Sequence, residues 1–195
     1  MIHLKHLFIG LCLVFACQTA FGQKELVTLD EHNKYIYYKV ADMPGVQQDT
    51  LFSRCVKGIK TSKRFAGTKA VITAGSAVLI KSKTTIYSSV TVVKHEIGDL
   101  AYTLTVEFKD GKYRYWLTDF VVTPYERNRY GVYALVPGGG TPFEQMKGKI
   151  DTKQFDDYLS QIGTFGNELG DEVKLYVTNP VKKVLEPVKV DTKKW

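Results

Sequence analysis

The clearest pattern along this chain is a pair of alternating runs, Ala101–Lys109 and Lys112–Val122, separated by Asp110-Gly111. Alternation of apolar and polar positions marks a strand with one wet face. Asp-Gly between two such runs is the preferred type I′ hairpin turn, because both turn residues must take φ > 0. A two-residue loop also fixes the register. Phe108 then faces Tyr113, Glu107 faces Arg114, Val106 faces Tyr115, Thr105 faces Trp116 and Leu104 faces Leu117. One side of the ribbon collects Tyr102, Leu104, Val106, Phe108, Tyr113, Tyr115 and Leu117, and must be the core side. The other carries Thr103, Thr105, Glu107, Arg114, Trp116 and Thr118. Opposite charges at Glu107 and Arg114 favour this register by ~0.2–1 kcal/mol. Lys109 opposite Lys112 works mildly against it.

The same reading places the other elements. Tyr35–Val40 is β-branched and aromatic, a short strand that ends at Asp42-Met43-Pro44-Gly45, since proline cannot donate to a ladder. A helix follows, with Asp49 as its expected N-cap. Leu51, Phe52, Cys55, Val56 and Ile59 share one face at a 3.6-residue period, while Arg54, Lys57 and Lys60 lie off it. Residues 61–69 form a basic connector. Residues 70–74 and 77–81, joined at Gly75-Ser76, read as a hairpin, and 84–93 extends it or adds a strand, closed by Gly98-Asp99.

Residues 123–150 hold three prolines and the run Gly138-Gly139-Gly140, and read as a long irregular connection. Asp151 caps a last helix over 152–177. Its apolar stripe is Phe155, Tyr158, Leu159, Ile162, Phe165, Leu169, Val173 and Tyr176. Gly163, Gly166 and Gly170 lie within it at a cost of ~1 kcal/mol each, so they mark either close packing on the sheet or a break. Residues 23–34 read as an N-terminal extension and 179–195 as a flexible basic tail. The fold class expected is α+β, with one domain over 35–178.

The N-terminus changes the compartment. Leu7 to Ala16 is free of charge behind Lys5 and His6, too short to cross a bilayer core of ~30 Å but of the length of a secretory core region. Ala20 and Gly22 supply the small residues that signal peptidase reads, so residues 1–22 are taken as a signal peptide and the chain as exported, periplasmic or secreted. The competing reading is a lipoprotein signal in which Cys17 is acylated; Phe15 stands where a small residue is preferred. Processing before Gln23 removes Lys5 and lowers the net charge from +7 to +6. Five lysines against two acids after Asn179 account for a further +3, which leaves about +3 on the body. That body demands no polyanion, and no nucleic-acid partner is expected. One cysteine remains, Cys55, so no internal disulfide forms.

Catalytic signals are sparse. Gly138-Gly139-Gly140 lacks phosphate-loop spacing, and Pro142 removes an amide that such a nest would use. His32 and His95 are isolated, without metal-ligand spacing, and no cofactor is implied. Asp156, Asp157, Glu168, Asp171 and Glu172 occupy the polar side of the last helix, where acids are normally just solvated. Cys55 sits in a core stripe, where burial raises a thiol pKa and makes it a small hydrophobe. Lys112-Tyr113-Arg114-Tyr115-Trp116 mixes basic and aromatic residues as single-strand nucleic-acid binders do. The register commits Tyr113 and Tyr115 to the core, however. What remains on offer is Arg114 and Trp116 among Thr103, Thr105 and Thr118, a face suited to a sugar, a peptide or a partner protein.

The run Tyr35–Val40, the Asp42–Gly45 break, the helix at Asp49–Ile59 and above all Lys109-Asp110-Gly111-Lys112-Tyr113-Arg114-Tyr115 resemble a family of exported bacterial domains of unknown function. That family is described as having a TATA-binding-protein-like fold. The resemblance covers about residues 35–125. It implies an antiparallel sheet with helices on one face and assigns no catalytic residues. Function lives in sites rather than folds, so it implies no DNA binding. The leading expectation is an exported, non-catalytic binding or interaction module, with an envelope protein, peptide or glycan as ligand. Its contact surface would be the Arg114/Trp116 face or the 123–150 segment. The alternatives are an envelope hydrolase, with assembled carboxylates or a Cys55/His95 pair, and membrane contact through the basic tail or a lipid at Cys17.

Overall fold

The computed structural model describes residues 26–73, 75–88, 95–136 and 138–178, and the Asp110-Gly111 hairpin is its spine. Strands β1 (Val27–Leu29), β2 (Tyr35–Asp42), β3 (Ala70–Thr73), β4 (Ala77–Tyr87), β5 (Glu96–Lys109) and β6 (Lys112–Arg127) form an antiparallel sheet in the order β1-β2-β6-β5-β4-β3. Two short strands, β7 (Tyr133–Leu135) and β8 (Thr141–Pro142), pair with the far end of β6. Helices α1 (Gln48–Thr61) and α2 (Thr152–Thr178) bury their apolar stripes on one face of the sheet. The expected α+β architecture stands. The expected signal peptide at 1–22, residues 89–93 of the expected strand and the expected tail at 179–195 lie outside the described residues.

The hairpin register is the one expected, with Phe108 opposite Tyr113, Glu107 opposite Arg114 and Thr105 opposite Trp116. Of the two turn residues only Gly111 takes positive φ, so the hairpin turn is not the type I′ that Asp-Gly suggests. All seven residues assigned to its core side are buried. Alternation breaks once. Thr103 faces Thr118 but Ala101 faces Val121, so Asp119 and Phe120 together oppose Tyr102. Asp119 takes φ 55°, the left-handed conformation of a bulge residue. This bulge hands the inward positions after Leu117 to Phe120 and Val122, both buried.

Four expectations change. Gly98-Asp99 does not close a strand but lies inside β5, because β6 runs on to Arg127 and pairs with it there. A Cβ at Gly98 would lie 2.5 Å from the Thr123 carbonyl oxygen, and that approach explains the glycine. Residues 123–150 are only partly irregular, since they complete β6, add β7 and β8, and form a 3-10 turn at Phe143–Met146. The segment before Tyr35 contributes β1, which pairs Val27 with Tyr37 and buries Val27. Finally, Asp49 is not the N-cap of α1. That position is Gln47, which makes no side-chain cap bond.

The cap comes from elsewhere. Asp110 Oδ1, in the hairpin turn, accepts the Gln48 amide at 2.8 Å. Gly111 locks the same junction: its carbonyl accepts Met43 N at 2.7 Å and its amide donates to the Val46 carbonyl at 2.9 Å. One aspartate thus shapes a turn and satisfies an orphan helix amide. Asp110→Ala is expected to lose about 1 kcal/mol, within the ~0.5–2 range of an N-cap deletion. Asp110→Asn, which keeps the acceptor oxygen, should lose less. Urea unfolding of the two variants checks this, and equal losses would remove the capping role.

Helix α2 is continuous, and Asp151 caps it as expected, its Oδ2 accepting Lys153 N at 3.0 Å. It runs antiparallel to α1. Arg54 reaches the Val177 carbonyl at 3.2 Å, and Arg64 pairs with Glu172 at 2.6 Å. Tyr176 packs over Gly58, where a Cβ would overlap the ring at 2.3 Å. The core stripe accordingly ends on Val177, fully buried, rather than on Tyr176.

Candidate functional site

With both helices on one face, the opposite face of the sheet carries no helix among the described residues. The registers align its side chains into lateral rows. Tyr38 faces Trp116, Trp116 faces Thr105, Thr105 faces Leu79 and Leu79 faces Val71. This row crosses five strands, about 19 Å at ~4.8 Å per strand, and is apolar but for one threonine. Tyr38 is 45% and Val71 61% exposed. The Tyr38 and Trp116 rings lie 6.5 Å apart at 35°. Beside it runs a second row, Val40, Arg114, Glu107, Ala77 and Thr73. Arg114 holds Glu107 through Nε at 2.7 Å and stands 5.4 Å over the Trp116 ring. A shallow hollow of about 490 Å³, bounded by Tyr38, Val40, Gln48, Ala77, Glu107 and Arg114, opens at the hairpin end of these rows.

The five residues singled out from sequence all lie on this face but are not equally available. Arg114 is exposed, while Trp116, Thr105 and Thr118 are half-buried. Thr103 is 6% exposed and has nothing to offer a ligand. Thr118 Oγ1 is buried without a hydrogen-bond partner among the described residues. Sequence reasoning missed Tyr38, Leu79 and Val71. Their alternation was visible, but which strands flank the hairpin is a tertiary fact. The same face also holds Asp99, buried within β5, which accepts Lys83 Nζ at 2.5 Å and the Tyr125 hydroxyl at 2.8 Å. That bond and burial raise the Tyr125 pKa. A further exposed apolar group, Tyr130, Val132, Tyr133 and Leu135, marks the β6–β7 hairpin within the segment thought irregular.

The nucleophile and acid candidates sit elsewhere. Cys55 is fully buried, and burial pushes its thiol up to about 12. His95, on the other hand, is exposed. Glu172 is raised by burial, but bonds from Tyr176, Arg64 and Ser62 outweigh this and hold it below the usual carboxylate range. Asp157 accepts Gln161 Nε2 at 2.8 Å. Among the described residues no group of three His, Cys, Asp or Glu could hold a metal, and no helix is long and apolar enough to cross a membrane.

Burial also fixes the alkaline behaviour. Cys55 is raised from 9.0 and Tyr113 from 10.0, each to about 12, and Tyr37 and Tyr176 are raised further, all chiefly by desolvation. These groups bind their protons more tightly folded than unfolded. Their contribution is complete below about pH 9 and is lost as pH climbs from there through 12. Urea midpoints should therefore fall steeply above about pH 9, with buried tyrosines ionising only as the fold melts. Thiol reagents should leave Cys55 unmodified at neutral pH until denaturant is added; prompt labelling of the native chain would contradict its placement.

Residues 37–123 match the family model described as "Domain of unknown function (DUF4468) with TBP-like fold". A DUF4468 family protein from Bacteroides ovatus superposes with a TM-score of 0.55 at 16% identity, over 84% of this chain and 95% of that one. A TBP-like protein from Parabacteroides distasonis gives 0.59 at 15% identity, over 78% and 97%. No curated protein matches. The likeness thus extends beyond the matched segment to the C-terminal helix, and it is a likeness of fold.

Proposed function

We propose that this TBP-like domain is an exported, non-catalytic binding module that takes its ligand on the helix-free face of the sheet. The observation that carries the reading is the lateral row Tyr38–Trp116–Thr105–Leu79–Val71. A contiguous apolar stripe on a wet sheet face holds large side chains in water that alternation would otherwise fill with polar ones, and such patches mark interaction sites. Tyr and Trp suit this use because each offers a rigid apolar body with a polar edge. The charge-free core of the first 22 residues supports export. The buried, protonated Cys55 and the internally bonded Glu172 and Asp157 support a role without covalent or acid–base chemistry. Arg114, Lys83 and Lys34 each already pair with an acid, Glu107, Asp99 and Asp119, which lowers the positive charge left to attract a nucleic acid.

Trp116 makes the reading testable. The chain has two tryptophans, so Trp195→Phe leaves Trp116 as sole reporter. Titration with panels of soluble oligosaccharides and peptides should yield a ligand that shields Trp116 from acrylamide. Tyr38→Ala with Trp116→Ala should weaken that ligand about tenfold or more, as loss of aromatic anchors does, at unchanged circular dichroism. A ligand bound equally well by the double variant would refute the assignment.

A further inference from the structure

The edge of the sheet opposite β1 is incompletely closed. β3 pairs with β4 only from Ala77 to Ile80, and among the described strands none pairs with Lys81–Tyr87 on that side. The hairpin turn fixes where the backbone groups of this stretch point. Lys109 and Lys112, flanking a two-residue loop, bond to each other, so alternate residues of β5, Phe108 among them, turn towards β4. Phe108 N accordingly donates to the Ser76 carbonyl at 3.1 Å. Carried along β4, even-numbered residues bond to β5, and Lys81, Lys83, Thr85 and Tyr87 aim N–H and C=O outward.

At Tyr87 that expectation is met by a side chain. Its amide donates to Gln161 Oε1 at 3.0 Å, and its carbonyl accepts Gln161 Nε2 at 2.8 Å. A primary amide on α2 thus makes both bonds that a residue of a neighbouring strand would make. Between Gln161 and the start of β3, Thr85 lines a groove of about 420 Å³ between β4 and α2, and Lys83 is the next outward position along the same edge. Its floor includes Ile86, Leu100 and Phe165, and the charged side chains lining it are both acids, Asp157 and Glu168.

We propose that this edge binds a short extended peptide as an added strand, paired through main-chain bonds to Lys83 and Thr85. Side chains of such a peptide alternate. Those matched with Lys83 and Thr85 lie on the helix-free face, and the one between them enters the groove. The apolar floor and the acids select there a lysine or arginine, whose stem lies on Ile86 and Phe165 and whose head reaches Glu168. A second copy of this chain paired edge to edge would bring Lys81 and Lys83 against the same strand, and lysines at an open edge oppose that association. The occupant is therefore a basic peptide of another protein, on a surface separate from the row that contains Trp116.

Selection of a random-heptapeptide phage library on the full-length chain tests this. Enriched peptides should share a basic residue, and binding should protect the Lys83 and Thr85 amides from hydrogen exchange. N-methylation of the peptide main chain should weaken binding about tenfold or more, the equivalent of one or two main-chain bonds. Thr85→Pro should do the same. It deletes only an outward N–H and leaves the β4–β5 ladder intact, which an edge strand tolerates. Glu168→Lys, an exposed change, should shift selection away from basic peptides even if Thr85→Pro disturbs folding. The proposal is overturned if no family is enriched. It is overturned equally by peptides indifferent to N-methylation and to Thr85→Pro, or by peptides that protect Trp116 instead; the last result would leave the sheet-face reading standing.

Discussion

Phe143→Ala is expected to destabilise the fold by about 3–5 kcal/mol, the range for removing a fully buried aromatic ring. Phe143 follows Pro142 in the segment that sequence alone reads as irregular, yet it has no solvent exposure. Its ring stacks on Phe155 at 4.7 Å and 6°, meets Tyr35 edge-on at 5.1 Å and lies 6.4 Å from Tyr158. It joins the start of α2 to the start of β2, and β8 holds it there through the Val121–Pro142 and Val122–Thr141 pairs. Glu144 adds a polar tie, its carboxylate accepting the Tyr35 amide at 3.1 Å. Since the side chains around the vacated space are held by their own backbones, collapse is incomplete and the loss should lie high in the range. Urea unfolding gives the value. Phe143→Leu should recover about half of it, and a loss under about 1 kcal/mol would mean that the segment is not part of the core.

Gly166→Ala and Gly170→Ala should be the next most damaging single changes, although alanine is the better helix former by ~1 kcal/mol. A Cβ at 166 would stand 2.5 Å from the Tyr37 ring, and one at 170 would stand 1.8 Å from the Tyr115 hydroxyl. Both rings are held. Tyr37 donates to Asn167 Oδ1 at 2.8 Å and is wholly buried, and Tyr115 packs against Tyr113 and Tyr37. Neither can retreat without moving its strand, so a net loss of about 1–3 kcal/mol is expected at each site, typical of overpacking. The test is a double-mutant cycle. Combining Gly170→Ala with Tyr115→Leu should be less damaging than the sum of the two, because removing the ring removes the clash. Strict additivity, or stabilisation by either alanine, would show that the glycines do not seat the helix.

These cases show where the sequence was legible. The hairpin register could be written pair by pair because a two-residue turn is a local constraint. Strand alternation then assigned its core face without reference to anything distant. The apolar stripe of α2 and its Asp151 cap are local in the same way. Glycines at 163, 166 and 170 left two outcomes open, since only the ring positions of Tyr37 and Tyr115 decide between close packing and a break. Asp49 was a reasonable N-cap by its place before an apolar run. Asp110 holds the role because the turn of the hairpin folds onto the helix start, a contact across 62 positions of sequence. The bulge at Asp119 carries no glycine or proline to announce it, so Phe120 and Val122 could not be assigned inward from pattern alone.

The candidate site divides along the same line. Arg114 and Trp116 were placed on an outward face by register alone, with the Glu107 pairing that the structure retains. Their neighbours Tyr38, Leu79 and Val71 are separated from them in sequence by tens of residues and become one row only through the strand order β2-β6-β5-β4-β3. By itself, the sequence determined which residues can be strand or helix, which side of the central ribbon is apolar, and that Cys55 is a core side chain. Periodicity and turn geometry act within a few residues, so those facts need no fold. Tertiary structure alone decided which strands adjoin, where glycine is required and what caps α1. Each of these depends on the packing of segments far apart in the chain, and together they assemble one row on the sheet face that carries no helix among the described residues.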